Sequence, residues 1–132
     1  MHELVECQQF FTEKTQPFIL FMTIESLILL SVQSHLHRNE VIGFLSGFKI
    51  KNRSNKDIVI IHEAHPCVAA VFDEEGQNNV DYSKNVEMEP ESASKKVEMI
   101  KAQGQTLLGW YHSHPKFEVN PSHIDVVNHN MY

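Results

Sequence analysis

EVIGFLSGFKI, residues 40–50, is a run of β-branched and aromatic side chains broken by two glycines, and it reads as a central strand with Glu40 at its mouth. Upstream, PFILFM at residues 17–22 reads as a short buried strand. Thr23 then caps a helix running to about His37, with Glu25 in its first turn complementing the dipole. The apolar positions Ile24, Leu27, Ile28 and Leu30 are crowded enough to predict a helix buried on most sides. Downstream, KNRSNK at residues 51–56 is a turn signal and DIVIIH at 57–62 the return strand of a hairpin, which Pro66 interrupts or ends.

The acidic stretch DEEGQNNVDYS, residues 73–83, predicts an exposed loop able to meet a partner. Pro90 opens the next helix, Ala93, Val97 and Ile100 share one of its faces, and Gly104 stops it. TLLGWYH at 106–112 makes a further strand. Helices alternating with strands in this way predict an α/β fold with a mixed sheet flanked by helices, formed by one domain over residues 1–132 with residues 1–16 as an N-terminal extension.

Composition narrows the class. The chain holds 11 basic against 17 acidic side chains, a formal charge of -6, so no general field draws it to nucleic acid. The most apolar stretch, residues 17–32, is interrupted by Thr23, Glu25, Ser26 and Ser31 and is too short and polar to span a bilayer. The acidic start MHELVEC argues against a secretory signal, and Cys7 and Cys67 read as reduced thiols of the cytosol or nucleus.

The chemistry lies in GWYHSHPKFEVNPSHID, residues 109–125. His112 and His114 alternate at a strand end and so project from one face, where two imidazoles can converge on one ion. Pro115 sets the exit of the chain from that strand, which Trp110 and Tyr111 stiffen. Asn120 and Pro121 read as the cap and first residue of a new helix, placing Asp125 near its N-terminal turn. Two imidazoles and a carboxylate leave a tetrahedral zinc one open position for water, the arrangement of a catalytic rather than a structural site. A hydrolase also needs a proton carrier and a donor to the developing oxyanion, for which Glu40 and Ser122 are the candidates. Of the other histidines, His35, His37, His62 and His65 read as bystanders near element ends, and His123 and His129 fall on the terminal helix, His123 close enough to be an adventitious ligand.

Glu40 heading EVIGFLSG, followed by His112-Ser113-His114-Pro115, then Ser122 and Asp125, resembles the signature of the JAMM (MPN-plus) metalloproteases. Its wider context, with VEMEPES at 86–92 and the Pro121-Ser122 pair, is most similar to the MYSM-type histone deubiquitinases. The resemblance implies an MPN domain of the cytidine-deaminase-like class whose C-terminal part lies beyond this chain. It implies one catalytic Zn2+ held by His112, His114 and Asp125, with Glu40 deprotonating the water and Ser122 stabilising the tetrahedral intermediate. The bond cleaved would join the ubiquitin C-terminus to a lysine amine. Ubiquitin or a ubiquitinated protein, a histone among them, would be the partner, together with accessory subunits, in nucleus or cytoplasm. A non-catalytic MPN scaffold or chromatin-binding module, or hydrolysis of another ubiquitin-like modifier, are the alternatives, and the intact set of five residues favours hydrolysis over the first.

Overall fold

The computed structural model describes residues 2–7, 16–69, 87–116, 120–121 and 123–130. They form β1 (Leu4–Cys7), β2 (Phe18–Thr23), α1 (Ile24–Leu36), β3 (Ile42–Lys51), β4 (Asp57–Cys67), α2 (Pro90–Ala102), β5 (Thr106–His112) and α3 (His123–His129). The expected acidic loop at 73–83 lies outside the described residues. The five strands make one mixed sheet in the order β1-β2-β4-β3-β5, in which β2 runs parallel to β4 and every other neighbour is antiparallel. As its sequence predicts, β3 is flanked on both sides. β1 lies within the stretch expected to be an extension and adds an edge strand instead, with Leu4 opposite Thr23 and Cys7 opposite Leu20.

Alternation along β5 sorts the two layers. Trp110 packs on the cluster of Ile42, Phe44, Met88 and Ile100, which α2 covers with Ala93 and Val97. Tyr111 points the other way and donates a 2.7 Å hydrogen bond to Gln33 of α1. α1 and α2 therefore cover opposite faces, and His112 lies on the α2 side. Gly43 allows Tyr111 to lie flat over β3, since a Cβ there would collide with the Tyr111 ring and the His65 carbonyl.

The start of α1 and both ends of α2 follow the sequence signals. Thr23 Oγ1 accepts the Ser26 amide at the start of α1. Pro90 opens α2 behind Glu89, whose carboxylate accepts the Glu91 and Ser92 amides. At its end Gly104, at φ 71°, donates to Lys101 O and Gln105 donates to Ile100 O, the paired bonds of a Schellman turn. Ile100 is fully buried beneath this turn. Ile100→Ala is expected to cost about 2–5 kcal/mol in urea unfolding, the range for truncating a well-packed aliphatic.

Three expectations need correction. β4 extends beyond the expected 57–62 and takes Pro66 into its ladder opposite Gly43, ending one residue later at Cys67. β2 pairs with β4 only as far as Ile61, so the missing Pro66 amide falls on an edge where no rung is lost. His62 and His65 are consequently inside a strand. His65 is buried with its Nε2 2.6 Å from Ser46 Oγ, which donates to Gln105 and ties the α2–β5 turn to the sheet.

α1 is also not buried on most sides. Its buried position is Ser26, whose hydroxyl, like that of Thr23, lies within 3.0 Å of the His62 carbonyl, while Leu27, Ile28, Leu29, Val32 and Leu36 are exposed. Polar bonds to the edge of β4 and to Tyr111 turn this helix with its aliphatic side outward. Third, α3 begins at His123, so Pro121 precedes the helix rather than opening it, although Asp125 is in its first turn as expected.

Candidate metal centre

The site is built where β5 ends and α3 begins. His112 is the last residue of β5, and His114 follows as the chain leaves the sheet ahead of Pro115. His112 Nε2 lies 2.7 Å from His114 Nε2 and 2.9 Å from Asp125 Oδ1, and His114 Nε2 lies 3.3 Å from Asp125 Oδ2. The three side chains are 10–14% exposed. Among the described residues they are the one group of three or more His, Cys, Asp or Glu side chains whose donor atoms cluster this closely.

This donor set fits a metal ion. Burial holds the His112 pKa below the ordinary imidazole value against the pull of Asp125, so at neutral pH the ring is neutral, the form that ligates. Two nitrogens facing each other across 2.7 Å beside a carboxylate concentrate lone pairs that only a shared proton or a cation relieves. The atoms are close enough for one ion with bonds of about 2.0–2.2 Å to bridge them.

Glu40 stands at the mouth of β3, 7% exposed, within electrostatic range of both His114 and Asp125. Burial pushes its pKa up from 4.5 to about 7; His114 opposes that rise and Asp125 adds to it. The carboxyl thus titrates near neutrality, where a group that takes and returns a proton is most effective. Ser122 lies outside the described residues.

Residues around the trio hold it in shape. The Trp110 indole stacks on the His112 imidazole at 4.9 Å and 15°, and its Nε1 donates to His129 Nδ1 at 3.4 Å. His129, a bystander by sequence, therefore buttresses the ligand strand. The available signal was its spacing, four residues beyond Asp125 on the same side of α3. His123 is exposed and outside the cluster. A cleft of about 420 Å³ opens beside the site, walled by Gly109, Trp110, Pro121, Val126 and His129 and reaching His112 and Asp125.

Residues 19–132 match the family described as JAB1/Mov34/MPN/PAD-1 ubiquitin protease. The chain is 31% identical over 130 residues to the histone H2A deubiquitinase MYSM1 of Xenopus laevis and 32% identical over 131 residues to the deubiquitinase MYSM1 of Mus musculus, covering 98% of this chain and 14% of each relative. It is 31% identical over 126 residues to an MPN domain-containing protein of Homo sapiens, covering 95% of this chain and 24% of that protein. The chain thus spans about one seventh of the length of its MYSM1 relatives.

Proposed function

The chain belongs to the JAB1/Mov34/MPN/PAD-1 ubiquitin protease family, and from that premise we propose that it is a zinc-dependent isopeptidase domain cleaving the bond between the ubiquitin C-terminus and a lysine amine. The observation that carries this reading is the convergence of His112, His114 and Asp125 on one point, with the buried Glu40 carboxyl beside them.

His112, His114 and Asp125 would hold one zinc ion. Bound there, zinc supplies Lewis acidity that brings a water toward ionisation at neutral pH. The chain's own groups do the rest. Glu40 accepts the proton of the attacking water and returns it to the lysine nitrogen as the C–N bond breaks, two transfers that suit a carboxyl set beside the three ligands. Ser122, three residues before Asp125, is proposed from its sequence position to donate to the oxyanion. Trp110 and His129 keep the His112 ring from rotating, and the apolar cleft beside them offers a surface for the substrate chain.

Ubiquitinated histone H2A, named for the Xenopus relative, is the substrate we propose to try first, and it would place the protein in the nucleus. The test is to measure zinc content of the purified protein and its cleavage of ubiquitin–lysine conjugates, ubiquitinated H2A among them, before and after chelation. One zinc per chain and cleavage that is lost on chelation and restored by zinc are expected. A folded protein that takes up no zinc and cleaves nothing would leave the scaffold reading in its place.

A further inference from the structure

The pairing of β3 with the edge strand β5 ends in an irregular rung. Ile42 is opposite His112 and Gly43 opposite Tyr111, so the next pair in register is Val41 with Ser113. Ser113 N–H donates to Val41 O at 3.0 Å, as the hydrogen-bonded pair of an antiparallel ladder requires. A regular ladder would return the Val41 N–H to the Ser113 carbonyl. Here that N–H goes to the Ser113 side-chain Oγ, also at 3.0 Å.

We infer that Ser113 is a positioning residue, whose hydroxyl replaces its own carbonyl in this last rung and locks the Glu40 segment to the two histidines. The substitution leaves the Ser113–His114 peptide out of the ladder. The chain is thus released to turn before Pro115 and bring His114 Nε2 to 2.7 Å from His112 Nε2, whereas side chains two apart on a straight strand run side by side. It also satisfies the amide of Val41, a residue only 8% exposed and adjoining Glu40, which would otherwise lie buried without an acceptor. One side chain between the two histidines therefore fixes the carboxyl relative to both.

Because threonine keeps the hydroxyl and valine has the same shape without it, Ser113→Thr and Ser113→Val are the discriminating pair. The readouts are hydrogen exchange at the Val41 amide, which needs no metal, and kcat and KM for a ubiquitin conjugate, which rest on the isopeptidase reading. In S113V the Val41 amide is expected to exchange about tenfold faster or more, and kcat to fall about 10- to 100-fold, as for other groups that orient a metal site from behind, with KM unmoved. S113T is expected to restore both. Unchanged Val41 exchange in S113V, or equal loss in S113T, would overturn the inference. If the wild-type protein cleaves no conjugate, the isopeptidase reading fails, and the Val41 exchange rates of the two variants still decide whether the hydroxyl makes the rung.

Discussion

Replacing either His112 or Asp125 by alanine is expected to empty the proposed zinc site and lower isopeptide cleavage by more than the 10- to 100-fold that changes behind a metal site cost. Each residue supplies one of the three converging atoms, and Asp125 reaches both imidazoles, at 2.9 Å and 3.3 Å. With one gone, an ion would have two protein ligands and water for the remainder. Metal analysis after gel filtration reads the loss directly. Thermal unfolding reads it a second way, because an ion that binds only the folded state at 100 times its Kd adds about 2.7 kcal/mol of stability. Zinc should raise the melting temperature of the wild type and leave H112A and D125A where they are. His123→Ala is the control, since its exposed side chain stands outside the cluster and its loss should change neither reading. Zinc retained at full stoichiometry in both H112A and D125A would show that the ion is held elsewhere.

Most of the frame is legible in the sequence because it rests on local signals. Thr23, Pro90 and Gly104 mark helix ends by their own stereochemistry, and β3 and β5 announce themselves by β-branched and aromatic runs. The three candidate ligands are legible for the same kind of reason. Two histidines one residue apart at a strand end are placed to meet, although β5 ends at His112 and His114 meets it only because the chain has left the sheet, and Asp125 lies in the first turn of the next helix.

What escaped depends on partners distant in sequence. That Pro66 joins the ladder one residue before the end of β4 follows from β2 stopping short of it, which makes β4 an edge there. Apolar crowding in α1 reads as burial, yet the choice of inner face was made by Ser26 and Gln33, whose bonds go to His62 and Tyr111. The buttress from His129 to Trp110 and the rung from Val41 to Ser113 likewise join residues 19 and 72 positions apart, and no local pattern encodes them.

Glu40→Gln is expected to move activity and stability in opposite directions. The amide keeps the shape of the side chain but cannot take a proton, so cleavage should fall about 10²- to 10⁴-fold, the usual contribution of a positioned proton carrier, while zinc stays bound because Glu40 is not one of the three ligands. Stability follows from the raised pKa. In the unfolded chain the carboxyl titrates near 4.5 and in the folded one at about 7. Between these values the folded state binds more protons than the unfolded state, so stability falls as pH rises through the interval. Above about pH 7 the whole cost of burying the charge is present, roughly 3 kcal/mol from the difference between the two pKa values. The chelator-treated glutamine variant should therefore be more stable than the chelator-treated wild type at pH 8, by up to about 3 kcal/mol, and the gap should close toward pH 4.5. An E40Q protein that cleaves at the wild-type rate would remove Glu40 from the reaction, and one no more stable than the wild type at pH 8 would show that its carboxylate is not strained by burial.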